Sequence, residues 1–308
     1  LRCLVGSEMC IRDRIKTIII GIIQGITEWL PISSTGHMIL ANEFLKLNVS
    51  DSFWEMFLVV IQFGSILAVV VLYFSKLNPF SITHRRNYIK ENPNAGFFAK
   101  QWAIFKPETI SLWLKVIVAV VPAGIIGVLF DDFLEEKLYN YITVAITLIL
   151  YGILFILLEN NPKTPKIKNF DAISYKTALL IGVFQVLALI PGTSRSGSTI
   201  LGAVFLGCSR AVAAEFSFFL AVPVMLGASA LKIGKYAMEQ SDAGLALFTS
   251  NEWITLILGM VVAFVVSLFA IKFLVNFVKK HDFKVFGYYR IVLGIVVIAY
   301  FLIKTFAF

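Results

Sequence analysis

Six long apolar segments constrain this chain more than any other feature of its sequence. Each approaches or exceeds the roughly 20 helical residues that cross a hydrocarbon layer of about 30 Å. They cover residues 53–74, 110–130, 139–158, 211–233, 253–278 and 286–306. Since 58% of the 308 residues are hydrophobic and only 15% are charged, we predict an all-α, polytopic integral membrane protein.

Two further apolar regions, 15–46 and 175–208, are interrupted near the middle by Pro, Ser, Thr and Gly. Neither half of either region is long enough to span a membrane alone. Non-helical backbone at membrane depth is tolerated only where protein or a water-filled cavity surrounds it. We therefore predict that each region forms a re-entrant helix–loop–helix hairpin.

The connections between the six spans differ in charge. Lysine and arginine dominate 75–109, 159–174 (with Lys163) and 279–285, whereas 131–138 carries Asp131, Asp132, Glu135 and Glu136 against Lys137. Alternation through the spans puts the three basic connections on one side, which the positive-inside rule makes cytoplasmic. The first hairpin then enters from outside and the second from the cytoplasm. The net charge of +8 is explained by these connections, so we expect no nucleic-acid partner.

The two hairpins resemble each other. Three spans follow each hairpin, and because three is odd, the second copy (175–308) is predicted to be inverted relative to the first (15–158). Such repeats typically place a site near the midplane, where the hairpin tips meet. The alternative is a chance similarity of two short apolar segments. The shared residues are Gly21, Gln24 and Pro31 in one hairpin, and Gly182, Gln185 and Pro191 in the other.

Residues 1–14 have neither an apolar core of signal-peptide length nor a small-residue cleavage site. We expect them to be a non-native segment or a disordered tail. Residues 15–308 are predicted to form a single membrane domain.

The first hairpin tip contains a carboxylate, Glu28, in an otherwise apolar stretch. Gln24 lies four residues earlier, so a helix would present both on one face. Pro31 is expected to stop that helix, and His37 would lie in the first turn of the next one. Alone, Glu28 could be a proton-relay carboxylate and His37 a structural histidine. Three hydroxyl-bearing residues are N-cap candidates: Ser33, Ser34 and Thr35.

The second tip, 191–199, combines hydroxyls and glycines with one arginine, Arg195. A buried arginine is costly unless an anion pairs with it, and its planar fork matches phosphate oxygens. We interpret the tip as a phosphate cradle, although its spacing differs from that of a Walker loop. The alternative is that Arg195 reaches the cytoplasmic face and the hydroxyls only cap helices. The candidate binding residues are Gly192, Thr193, Ser194, Ser196 and Thr199.

Together the tips carry the groups of a hydrolytic site: a carboxylate for a metal or water, an imidazole for proton transfer and a guanidinium for developing charge. Gln62, Glu215 and Ser217 are weaker candidates, because hydrogen bonds between packed helices explain them equally well.

These motifs resemble the two signatures of the bacterial undecaprenyl-diphosphate phosphatases of the bacitracin-resistance type. The resemblance covers about residues 15 to 308 and extends to stretches 60–68 and 216–228. Gln24 stands where many members carry Glu, and Leu58 stands where another Glu is expected, so no metal role is carried over to Leu58. The motifs read Gln24-x-x-x-Glu28 with Pro31-x-Ser33-Ser34-Thr35-Gly36-His37, and Pro191-Gly192-Thr193-Ser194-Arg195-Ser196-x-x-Thr199.

The resemblance implies a multi-pass enzyme of the bacterial inner membrane that hydrolyses the phosphoanhydride bond of a C55 polyprenyl diphosphate. Its active site would open to the periplasmic or outer side, and a divalent cation, Mg²⁺ or Ca²⁺, would assist. The monophosphate product is the lipid carrier for peptidoglycan, and overproduction confers bacitracin resistance because the drug sequesters the diphosphate. Membrane lipids are expected partners, and a homodimer is compatible with the family.

Matching positions imply roles for individual residues. Glu28 and Gln24 would face the metal or water, and His37 would act as acid and base. Ser34 or Ser33 would be a nucleophile or a phosphate ligand, and whether serine or water attacks stays open. The diphosphate clamp would include Ser194, Arg195 and Thr199, and the remaining substrate-binding candidates are Thr35, Gly192, Thr193 and Ser196.

A polyprenyl-phosphate flippase or transporter is the competing function, because inverted repeats with broken helices are common in transporters. The sequence feature that favours the enzyme is His37 beside Ser33 and Ser34, which binding alone does not require.

Overall fold

The protein is built from helices. The structure is a computed structural model that describes residues 2–162 and 164–307, with side chains described for 11–130, 133–134, 136–162 and 164–305. Within these residues there are helices and two isolated bridges but no strand. The elements are α1 Arg2–Thr27, α2 Ser34–Leu45, α3 Asp51–Leu72, α4 Phe74–Leu77, α5 Ile82–Glu91, α6 Phe97–Trp102, α7 Pro107–Leu138, α8 Tyr141–Asn160, α9 Tyr175–Val186, a 3₁₀ turn Leu187–Leu189, α10 Arg195–Phe205, α11 Arg210–Asp242, α12 Ser250–Val278 and α13 Lys284–Ala307.

Six of these helices are long and apolar enough to cross a membrane: α3, α7, α8, α11, α12 and α13. The predicted all-α fold with six spans is thereby confirmed. One difference concerns 131–138, which was predicted as a connection but forms the last two turns of α7. The segment lacks glycine and proline and contains two Leu, two Glu and one Lys, which favour helix, so the helix continues to Leu138. The side chains of Asp131, Asp132, Glu135 and Lys163 lie outside the described residues.

Helix α1 begins at Arg2, within the segment 1–14 that was expected to be a non-native segment or a disordered tail, and that expectation stays a prediction. The proline-free residues before Ile15 extend the helix that the apolar stretch forms, since propagation of a helix is easier than its nucleation. The carboxylate-bearing Asp13 is buried. Whether the segment is native stays a prediction.

Both interrupted regions fold back on themselves. Lys16 of α1 donates a hydrogen bond to the carbonyl of Lys46, which follows α2. In the second region, the main chain of Lys166 and Ile167 donates to the carbonyl of Gly207, which follows α10. The regions are therefore helix–loop–helix hairpins, while their return to one membrane face stays a prediction.

Each hairpin packs against a helix from the other half of the chain. Helix α1 packs on α12, and α9 packs on α7. The Gly-x-x-Gln motif explains these close contacts: a Cβ on Gly182 would lie 2.2 Å from the carbonyl oxygen of Ala119, and one on Gly21 would lie 2.9 Å from Val262. Small residues allow helices to approach closely in membranes. Because each hairpin is held by the opposite half, the two tips are brought together.

Candidate active site

Both hairpin loops end in a serine with an unusual backbone. Ser33 has a φ of 71° and Ser194 a φ of 70°, and no other non-glycine residue in 2–162 or 164–307 has a positive φ. The Ser33 hydroxyl caps α2 by accepting from the Gly36 N–H at 3.3 Å, and the Ser194 hydroxyl caps α10 through the Gly197 N–H at 3.2 Å. Such conformations cost about 1–3 kcal/mol and cluster at functional sites. The first helical turns after both loops are thus built alike.

The Glu28 carboxylate is where the two tips meet. It is buried, and one oxygen accepts from Gln24 Nε2 at 2.9 Å and from the Ser34 hydroxyl at 3.2 Å. The other oxygen lies 3.2 Å from Arg195 Nη2. A buried ion pair is stable only when further hydrogen bonds satisfy its members, as they do here. The predicted residues Gln24, Glu28, Ser34 and Arg195 therefore form one cluster.

Arg195 points into the protein. Its Nη1 donates to the carbonyl oxygen of Ser217 at 2.7 Å and to the Ser217 hydroxyl at 3.2 Å, and its guanidinium lies 5.7 Å from the Trp29 ring. The Thr199 hydroxyl is 2.6 Å from that of Ser217. The side chain is only 9% exposed, so the alternative in which it reaches a membrane face is wrong. Its Nε is buried without a hydrogen-bond partner, which leaves one donor for a ligand.

Arg290 joins the two loops and was missed by the sequence analysis. It is fully buried; its Nη2 donates to the carbonyls of Gly192 and Thr193 at 2.9 Å each, and its Nη1 donates to that of Pro31 at 3.2 Å. Its guanidinium lies 5.3 Å from the Tyr151 ring. An arginine in a predicted span is itself a signal of function, and that signal could have identified it.

His37 pairs with Tyr289, a second residue that the sequence analysis missed. Its Nδ1 is 2.7 Å from the Ser33 carbonyl oxygen, which can only accept, so Nδ1 carries a proton. Its Nε2 is 2.7 Å from the Tyr289 hydroxyl, and the two rings stack. Among the described hydrogen bonds, none joins His37 to Glu28. The imidazole therefore borders the carboxylate cluster without belonging to it.

Several predicted binding residues support the loops. Gly192 has a φ of 89°, and a Cβ there would lie 2.2 Å from the Thr147 hydroxyl. The Thr193 hydroxyl donates to main-chain carbonyls of its own loop. The Ser196 hydroxyl donates to the Glu28 carbonyl at 3.1 Å and so ties the tips together. Thr35 is half-buried in the first turn of α2.

The three weaker candidates, Gln62, Glu215 and Ser217, differ in whether they contact the Glu28–Arg195 cluster. Ser217 belongs to the cluster through Arg195. Glu215 pairs with Lys76 at 2.6 Å, and Gln62 donates to the carbonyl of Leu58.

The cluster supplies one carboxylate for a metal. Where side chains are described, no three His, Cys, Asp or Glu residues lie together in a way that could hold a metal ion. Mg²⁺ commonly binds through one or two carboxylates together with substrate phosphates. The divalent cation therefore stays a prediction, with Glu28 and the amide oxygen of Gln24 as its candidate protein ligands.

Comparison with known proteins places this geometry in context. The family model described as "Bacitracin resistance protein BacA" matches residues 17–296. The protein named Undecaprenyl-diphosphatase from Acetivibrio thermocellus is 58% identical, over 94% of this chain and 98% of its own. Undecaprenyl-diphosphatase 1 from Clostridioides difficile strain 630 is 60% identical, over 93% of this chain and 95% of its own. A third protein, from Enterococcus faecalis and also named Undecaprenyl-diphosphatase, is 56% identical, over 92% of this chain and 95% of its own.

Proposed function

We propose, since the chain belongs to the family of bacitracin resistance protein BacA, that it hydrolyses undecaprenyl diphosphate to undecaprenyl phosphate and phosphate. Relatives that cover nearly the whole chain at more than half identity carry the name of this activity. The observation that carries the proposal is the Glu28 carboxylate, bound by Gln24, Ser34 and Arg195 across the two tips. In phosphoryl transfer a carboxylate can act as base, a hydroxyl as nucleophile and a guanidinium as a stabiliser of developing charge.

Ser34 is the nucleophile in this proposal. Its hydroxyl already donates to Glu28 at 3.2 Å, so the carboxylate can take the proton as the oxygen attacks. Attack on the terminal phosphorus breaks its bond to the bridging oxygen, and undecaprenyl phosphate leaves. Water then cleaves the phosphoserine, which releases phosphate and restores the hydroxyl.

Arg195 binds the phosphate that is transferred. Its Nη groups are held by Glu28 and Ser217, so its orientation is fixed before substrate arrives, and its free Nε can donate to a phosphate oxygen. Hydrogen-bond donors oriented in advance stabilise charge that develops in the transition state. The N-terminus of α10, which begins at Arg195, adds the positive end of a helix dipole.

His37 transfers protons. Because the Ser33 carbonyl holds the proton on Nδ1, Nε2 is the atom that gains and loses a proton during the reaction. In this proposal Nε2 takes a proton from the water that cleaves the phosphoserine, and that proton then passes to the released phosphate.

A divalent cation held by Glu28, Gln24 and the substrate would neutralise the diphosphate. We infer that the site opens to the outer side of the bacterial inner membrane, because the basic connections belong in the cytoplasm. The activity would recycle the lipid carrier of peptidoglycan synthesis. Removal of divalent cations with a chelator, followed by titration with Mg²⁺ or Ca²⁺, tests the cation directly.

The experiment that separates this function from lipid transport uses purified protein in liposomes. Release of phosphate and formation of undecaprenyl phosphate are measured beside movement of labelled lipid between leaflets. We expect hydrolysis that Arg195→Ala abolishes and Lys76→Ala retains, since Lys76 forms an ion pair away from the tips. Movement of lipid without hydrolysis would favour a flippase and contradict the proposal.

A further inference from the structure

A large cavity lies away from the active site, at the far end of α10. Helix α10 begins at Arg195 in the site, and Phe205 at its other end lines the cavity. Ten residues of helix separate the two by about 15 Å. The cavity has a volume of about 760 Å³, within the range of roughly 300–1,000 Å³ that is typical of small-molecule sites. Its walls also include the ends of α8 and α12 and the start of α11.

The wall of the cavity is apolar on the side formed by α8 and α10. Leu157 comes from α8, whereas Leu201, Val204 and Phe205 come from α10. Leu157 is 53% exposed, and Phe205 is 55% exposed even though its ring contacts that of Phe184. A groove between the membrane-spanning helix α8 and the hairpin helix α10 suits a hydrocarbon chain.

The residues that line the cavity also carry a surplus of positive charge. Glu159 is buried, and its two oxygens are taken by Arg210 at 2.8 and 2.5 Å and by the Phe283 N–H at 3.2 Å. This carboxylate is therefore neutralised within the protein. Lys279 also lines the cavity, is exposed, and has no ion pair among the residues whose side chains are described. One uncompensated cation thus lines the same cavity as the apolar residues.

We propose that this cavity binds an acidic glycerophospholipid, with its phosphate at Lys279 and Arg210 and an acyl chain along Leu157 and Phe205. The positive charge of Lys279 complements an anionic headgroup. The two connections beside the cavity, 159–174 and 279–285, are also rich in lysine. Juxtamembrane cations attract anionic lipids at the cytoplasmic surface. A free anion would leave the apolar wall uncovered, whereas a phospholipid satisfies both sides.

The test is native mass spectrometry of the full-length protein, delipidated and then titrated with phosphatidylglycerol or phosphatidylcholine of identical acyl chains. One well-placed cation predicts a preference of about fivefold for phosphatidylglycerol. Lys279→Gln should abolish that preference. Lys280→Gln is the matched control, because Lys280 is the exposed neighbouring lysine that does not line the cavity, and it should retain the preference.

A second variant tests the apolar wall. Val204→Trp fills the cavity and should weaken binding of both lipids at least fivefold, while phosphate release reports that the protein is folded. Equal effects of Lys279→Gln and Lys280→Gln would overturn the proposal, because they would indicate diffuse attraction to a basic surface. Binding of undecaprenyl phosphate in clear preference to phosphatidylglycerol would also overturn it, by assigning the cavity to a different lipid.

Discussion

Ser33 and Ser194 share one strained backbone conformation, with φ values of 71° and 70°, and each caps the helix that carries its half of the active site. Ser34 follows the first serine and Arg195 follows the second. This conformation therefore sets the direction in which Ser34, the proposed nucleophile, and Arg195, the proposed phosphate-binding residue, enter the cluster.

Two small substitutions of Ser33 are predicted to have different effects on stability. Ser33→Ala keeps the strain and loses the cap, so it should lower the free energy of unfolding by about 1 kcal/mol. Ser33→Gly loses the same hydroxyl but relieves strain of about 1–3 kcal/mol, so it should be at least as stable as the parent. Thermal unfolding in detergent micelles measures both. Equal stability of the two variants would show that the conformation is not strained.

Arg290 should stabilise the contact between the two hairpin loops. Its side chain bonds to three carbonyls, from Pro31, Gly192 and Thr193. Arg290→Gln cannot reach all three and leaves buried acceptors unsatisfied, so we expect a loss of at least about 2 kcal/mol in unfolding free energy and a large loss of phosphate release. Arg290→Lys, which keeps the charge, should recover part of the stability. A fully stable and active Arg290→Gln variant would exclude this role.

Ser34 is expected to form a phosphoenzyme. Acid quenching of the wild-type protein during turnover of terminally labelled substrate should trap label on Ser34, and Ser34→Ala should reduce kcat at least about a thousandfold. The control is Ser229→Ala, which removes a hydroxyl that bonds to the Val59 carbonyl outside the site. If activated water were the nucleophile, no label would be trapped and Ser34→Ala would retain most of its activity.

Tyr289 should act only through His37. Tyr289→Phe removes the hydroxyl that lies 2.7 Å from Nε2 but leaves Nδ1 held by Ser33. We expect a loss of about tenfold in kcat with little change in KM, and no further loss when the substitution is added to His37→Ala. Additive losses would mean that Tyr289 acts independently of the imidazole. Tyr300→Phe in the same helix, whose hydroxyl donates to Glu43, is the control.

The six spans and both broken regions could be predicted from the sequence because each depends on local composition and on proline, glycine and serine. Glu28 and Arg195 could be selected as candidates in the same way, since charges in apolar segments are costly wherever they lie. The structure brings the two side chains into contact, and their roles in the reaction stay predictions. The family resemblance of the two tip motifs is confirmed by the match over residues 17–296.

Contacts between distant residues could not be predicted in this way. The role of Arg290 depends on how α13 packs against both loops, and the pairing of His37 with Tyr289 depends on the same helix. The hydroxyl of Thr193 was predicted to bind substrate, yet it donates to its own loop, because a short loop with buried carbonyls must satisfy them locally. Residue type alone does not show whether a polar side chain binds substrate or bonds to the protein itself.

The most direct test of the account is phosphate release from undecaprenyl diphosphate by Glu28→Gln, compared with Glu215→Gln. Both substitutions remove a membrane-embedded carboxylate of the same size, but Glu28 contacts Ser34 and Arg195 whereas Glu215 contacts Lys76. We predict that Glu28→Gln lowers kcat/KM at least about a hundredfold while Glu215→Gln changes it less than about threefold. Full activity of Glu28→Gln would contradict the account.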